Sequence, residues 1–130
     1  MGTEEKITYW LEVSVYDIDT AKAMLDTGRY LYVGFMCHQA VEKILKALFV
    51  RNNTEVPPYT HSLLKLAKGA GCYTDLSETQ KDLLDQLDPL NIEARYPSYK
   101  EQLLKQLSKS ICTKMFSETK EFTEWISKKL

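Results

Sequence analysis

The side chains able to do chemistry here are few. Of the 130 residues only His38 and His61 titrate near neutrality unperturbed, and they lie 23 positions apart on different elements. His38 stands beside Cys37, but neighbours on a helix diverge by about a hundred degrees and cannot share a metal unaided, so His38 is expected to be structural. His61, between Thr60 and Ser62 at a helix start, can satisfy free backbone groups or contact another helix, and is expected to be structural as well. Arginine occurs only at Arg29, Arg51 and Arg95, and Arg95 is followed by Tyr96, Pro97 and Tyr99. Its planar fork suits phosphate, while Tyr96 and Tyr99 could stack on a base or on a partner's surface. The alternative is that Arg95 pairs with Glu93 or Asp88 and the tyrosines fill the end of the fold. A third group, Gln39, Glu42, Lys43 and Lys46, recurs at three- and four-residue steps. Either it is a solvated flank held by the Glu42 to Lys46 pair, contributing only ~0.3–0.5 kcal/mol, or Gln39 and Glu42 bond to neighbouring helices while Lys43 meets a phosphate or an acidic partner.

The strong signatures of enzymes are missing from the sequence. It has no glycine-rich phosphate loop, nucleophile elbow, paired-histidine zinc helix or calcium loop. Cys37, Cys72 and Cys112 are odd in number and far apart, so reduced thiols packed as small apolar residues are expected, with no metal and no cofactor. Seventeen basic residues against 18 acidic ones give a net charge of -1, which excludes coating nucleic acid by bulk electrostatics and leaves only a local basic patch. The interleaved charges near the carboxyl end form a mixed solvated face, with Lys105 and Lys109, one turn apart, as its most basic spot. The acidic, mixed start is unlike a signal peptide and no window approaches 18 apolar residues, so a cytoplasmic protein without membrane contact is expected.

Helices must position these groups. Ile7, Trp10, Leu11, Ser14, Ile18, Ala21 and Leu25 mark one apolar stripe on a helix from about Glu4 to Asp26, ended by Gly28. A second helix runs from Tyr30 to Arg51 and is stopped by Asn52, Asn53, Pro57 and Pro58. Thr60 or Ser62 caps a short third helix, closed by Gly69 and Gly71. Ser77 and Gln80 form a capping box that opens a fourth helix, and Pro89 bends or ends it. The last helix is expected to run from after Pro97 to about Lys129, with Leu103, Leu107, Ile111, Met115, Phe122 and Ile126 inward. Four long helices and a short one, in a single domain over residues 1–130, imply an all-α, antiparallel up-and-down bundle.

Four segments in register carry a resemblance: YLYVGF, HQAVEKILKAL from His38 to Leu48, YTHSLLKL after the loop, and EARYPSY before the last helix. Together, from the Trp10 region to Trp125, they resemble the HEPN domain family (higher eukaryotes and prokaryotes nucleotide-binding). The resemblance implies a helical bundle that forms a homodimer or associates with a nucleotidyltransferase-domain protein, binds a nucleotide or RNA, and belongs to a toxin–antitoxin type of system. HEPN ribonucleases, which need no metal, resemble one another in an arginine followed four to six residues later by a histidine. Arg95 is followed by Tyr96, Pro97, Ser98, Tyr99, Lys100, Glu101 and Gln102, with no histidine. With an unperturbed pKa of ~10, Tyr99 is a poor substitute for imidazole. The expected function is therefore a non-catalytic nucleotide-binding or nucleotidyltransferase-partner module, with Arg95, Tyr96, Tyr99, Lys43 and Lys46 as ligand contacts. The alternative is an endoribonuclease with a degenerate motif, in which Arg95 and His61 are the catalytic candidates.

Overall fold

The computed structural model describes residues 2–92 and 97–130. They form six α-helices: α1 (Thr3–Asp26), α2 (Tyr30–Asn53), α3 (Leu63–Ala70), α4 (Glu78–Leu87), α5 (Pro97–Gln106) and α6 (Lys109–Ser127). Two short 3-10 turns, Tyr73–Asp75 and Asp88–Ile92, complete the path, and no described residue lies in a strand.

Local chemistry sets most of the boundaries. After α1 the Arg29 amide donates to Met24 O (2.8 Å) and Gly28 takes φ +74°, a left-handed stop that a Cβ would strain. The reversal is tight, so α2 lies back along α1. The bidentate Arg51 to Glu4 pair (2.6 and 3.0 Å) joins the end of one helix to the start of the other. Ser62 caps α3 by accepting from the Lys65 amide (3.3 Å), and both halves of the Ser77 and Gln80 capping box are present.

α2 is the central element. It packs against α1, α3, α4, α5, α6 and the Asp88–Ile92 turn, and Cys37, Val41, Ile44, Leu45 and Leu48 on it are almost wholly buried. α6 lies along α2 in the same sense, with the Cys112 thiol directed at Tyr30 O (3.8 Å), and is therefore antiparallel to α1. The result is the expected all-α bundle. At Gly34 a Cβ would stand 2.7 Å from Leu90 Cδ1, so a side chain there would displace the end of Leu90 where the Asp88–Ile92 turn meets α2.

The last long helix is in fact two. Ser108 leaves the helical region (φ -81°, ψ 168°) and its hydroxyl accepts from the Ile111 amide at 3.2 Å, capping a new helix. The break resets the phase of the apolar stripe: Leu103 on α5 and Leu107 just after it are buried, then Cys112, Met115, Phe122 and Ile126 on α6, while Ile111 turns outward. It also puts Lys105 and Lys109 on different helices, so they do not form a one-turn basic pair. All three cysteines are free and buried, as expected. Burial pushes the Cys37 thiol up to about 12 and those of Cys72 and Cys112 up to about 11, so each stays protonated at neutral pH. No helix among the described residues is long and apolar enough to cross a membrane.

Gly34→Val is expected to lower stability by ~1–3 kcal/mol through overpacking against Leu90, seen as a lower urea midpoint with an unchanged slope. An unchanged midpoint would show that the turn can move away at no cost.

Candidate functional site: the polar flank of α2

Gln39, Glu42, Lys43 and Lys46 share one side of α2, as their spacing requires. Asp17 of α1, the loop between α2 and α3, and the Asp88–Ile92 turn close over that side. The solvated-flank alternative is thereby overturned: the Glu42 side chain is only 2 % exposed and that of Lys46 11 %. In this enclosed setting Glu42 accepts from Lys46 Nζ through Oε2 (3.1 Å) and from His61 Nδ1 through Oε1 (2.8 Å). The Lys43 ammonium approaches the same Oε2 at 3.8 Å. Burial alone would raise the Glu42 carboxyl; the His61 hydrogen bond and the two lysines outweigh it and hold the group below the usual carboxylate range.

Two branches run from this carboxylate. One passes along α2 toward the chain ahead of Arg95: Lys43 Nζ donates to Gln39 Oε1 (2.7 Å), and Gln39 Nε2 donates to Asn91 Oδ1 (3.0 Å). The other fixes the loop. His38 is fully buried and its Nε2 donates to the His61 carbonyl (3.0 Å), which can only accept, so the His38 proton sits on Nε2. Asp88 Oδ1 lies 3.8 Å from that nitrogen and accepts from the Leu63 amide (3.0 Å) at the positive end of α3. Burial pushes the His38 imidazole below its ordinary pKa, with the Glu42 and Asp88 carboxylates opposing only in part. As expected, His38 is a structural residue.

His61 differs. It contacts a neighbouring helix, as its position allowed, yet its side chain is 60 % exposed although buried groups hold both its ring and its carbonyl. With Nδ1 donating to Glu42, the neutral ring offers Nε2 as an acceptor. Beside it Tyr59 is fully exposed, the ring centroids 6.4 Å apart. Lys46 is turned inward between Glu42 and the Trp10 ring, 5.2 Å from its centroid. Among the described residues the close acceptor of Lys43 is the neutral Gln39 amide, and its carboxylate neighbours Glu42 and Asp17 stand at 3.8 and 3.9 Å. Asp17 is buried, and its Oδ2 has no hydrogen-bond partner among the described residues. Burial raises its pKa, Lys43 counteracts this, and Glu42 adds to it.

Arg95 and Tyr96 lie outside the described residues, as does the side chain of Tyr99. What is described is the approach to them: Asn91, tied to Gln39, precedes Arg95 by four positions. Sequence reasoning missed Asp17, Tyr59, Asp88 and Asn91 as members of this cluster. Asp17 had left a signal, because it falls beside Ser14, Ile18 and Ala21 on the inward stripe of α1, where a carboxylate needs a partner. Among the described residues no group of three or more His, Cys, Asp or Glu side chains is placed to hold a metal.

An all-α bundle whose central helix carries an enclosed Gln-Glu-Lys-Lys flank, closed by a histidine-bearing loop, defines the class of protein. The HEPN domain family model matches residues 7–130, and the chain belongs to that family. Among solved structures, the crystal structure of TT1696 from Thermus thermophilus is similar, with 22 % identity, 96 % of this chain and 98 % of that chain covered, and a TM-score of 0.81; this likeness concerns the fold. No curated protein matches the chain.

The titration directions give a signed pH dependence. His38 has a folded pKa below its ordinary 6.5, so the unfolded chain binds the proton first and stability is lost as pH falls through 6.5 toward the folded value. Glu42 has a folded pKa below its ordinary 4.5, so its contribution is present above 4.5 and is lost as pH falls through the folded value. Asp17, raised from 3.8, acts oppositely, its cost growing as pH rises through its folded value. Urea denaturation is therefore expected to show stability falling below pH 6.5, with Asp17→Asn stabilising at pH 7. Glu42→Ala should cost ~3–5 kcal/mol at pH 7 by leaving Lys46 and His61 unpaired; a cost below about 1 kcal/mol would contradict the hub described above.

Proposed function

We propose that this HEPN domain is a non-catalytic binding module that takes a nucleotide, or the nucleotide-handling face of a nucleotidyltransferase-domain partner, at the flank of α2 and the adjoining Arg95 segment. The carrying observation is the Lys43, Gln39 and Asn91 chain of hydrogen bonds, which ties the approach to Arg95 to an ammonium whose close acceptor among the described residues is a neutral amide. A phosphate needs such a cation, and the guanidinium of Arg95 adds a planar fork suited to two of its oxygens. The residues after Arg95 supply no histidine, which favours binding over cleavage. The module works as a homodimer in the cytoplasm, as one half of a toxin–antitoxin type pair.

One observation favours a second reading, a metal-independent endoribonuclease of toxin type. His61 is an exposed imidazole held through Nδ1 by a buried carboxylate, an arrangement that suits proton transfer at Nε2.

Titration calorimetry with ATP is expected to show saturable binding that weakens with salt and falls at least ~10-fold in Arg95→Ala, since a hydrogen bond to a charged group contributes ~1.5–3 kcal/mol. Absence of saturable binding, or an unchanged affinity in the variant, would refute the ligand reading. The same protein is expected to leave RNA intact; cleavage lost on Arg95→Ala or His61→Ala would establish the ribonuclease instead. Light scattering of the chain alone should give twice 15.0 kDa, and a single-chain mass would remove the homodimer.

A further inference from the structure

The loop between α2 and α3 holds an arrangement that neither the bundle nor phosphate binding requires. Tyr59 follows Pro57 and Pro58 and is fully exposed. An aromatic ring that buries no surface contributes almost nothing to folding. Two residues on, His61 is more than half exposed, yet it is held from both sides: Nδ1 by the buried Glu42 carboxylate at 2.8 Å, and its carbonyl by the buried His38 at 3.0 Å. Two buried side chains thus hold one surface residue, Glu42 at its ring and His38 at its backbone. The neutral ring has a defined tautomer, with the proton on Nδ1 and an acceptor at Nε2. The tyrosine beside it presents an aromatic face, 6.4 Å between centroids and tilted by 56°.

A flat face beside an oriented acceptor fits a planar ligand that carries a donor on its edge. We infer that Tyr59 and His61 form a subsite for an unpaired nucleobase with an amine at purine C6 or pyrimidine C4, adenine or cytosine, with Tyr59 stacking on the base and His61 Nε2 accepting from that amine. The inference rests on the nucleotide reading above, and it deepens it. Glu42 connects the two parts, because its Oε1 orients His61 while its Oε2 faces the ammonium of Lys43, at 3.8 Å, on the phosphate side. A guanine or uracil edge places a carbonyl where the amine would be and meets the Nε2 lone pair unfavourably. The preference is therefore for adenine and cytosine, whose amine stands where guanine and uracil carry that carbonyl.

Four probes separate this subsite from the phosphate contacts: adenosine, purine riboside (which lacks the amine), ATP and inorganic tripolyphosphate, each titrated into the wild-type chain and into Tyr59→Ala and Tyr59→Phe. Because Tyr59 is fully exposed, both variants should fold, which circular dichroism verifies. Adenosine is expected to bind ~5-fold more tightly than purine riboside, by one hydrogen bond. Tyr59→Ala should weaken adenosine and ATP at least ~5-fold and leave tripolyphosphate unchanged, whereas Tyr59→Phe should keep the affinity. Equal binding of ATP and tripolyphosphate, with no effect of Tyr59→Ala, would overturn the base subsite and leave the phosphate reading standing. Tyr59-dependent binding of adenosine without any binding of tripolyphosphate would support the subsite and overturn the phosphate contacts. Failure of all four probes to bind would overturn both.

Discussion

The Glu42 carboxylate is the constraint on which the rest of this structure depends. An ionised group enclosed between helices is stable only if its lone pairs are occupied and its charge is balanced. Here Lys46 and His61 occupy them directly and Lys43 adds charge from slightly farther away. Each partner comes with its own requirement. Lys46 holds its ammonium over the Trp10 ring of α1 as well as against Glu42. Lys43 needs an acceptor, which Gln39 provides, and Gln39 passes the remaining demand to Asn91. His61 must be brought across from the far end of a loop, and His38 and Asp88 pin that loop and the start of α3.

The apolar core determines that the helices pack, and the polar chain determines which way the loops turn. Leu45, Leu48, Leu63, Leu66, Leu83 and Leu87 would tolerate small shifts of one helix along another, because burial has no direction. Hydrogen bonds have direction. Ser14 Oγ donating to Ala40 O, and Gln39 donating to Asn91, allow one register only. Asp17 does not share in this satisfaction: its Oδ2 has no described hydrogen-bond partner, and its acidity is weakened by burial. It is the local point of tension in the cluster, with the Lys43 ammonium 3.9 Å from that oxygen.

Periodicity and capping made most of the fold legible from sequence. The stripes of α1 and α2, the Gly28 reversal and the Ser77 box all act within a few residues, and such local signals survive tertiary context. The division of the last helix was less legible. Leu103, Leu107 and Ile111 keep a helical step straight across it, while the competing signal is one serine whose capping role depends on where the chain turns. The site was legible in part. Spacing placed Gln39, Glu42, Lys43 and Lys46 on one flank, but whether that flank is solvated depends on what α1 and the loop lay over it, a long-range fact. The Glu42 to His61 bond spans 19 positions and nothing local announces it.

The central claim, that the buried Glu42 carboxylate orients an exposed His61, is tested most directly by nitrogen-15 NMR of the imidazole tautomers at a pH where the ring is neutral. His61 is predicted to carry its proton on Nδ1 in the wild-type chain, and to lose that preference in Glu42→Gln while the bundle stays folded. A proton found on Nε2, or a tautomer unaffected by Glu42→Gln, would contradict the account.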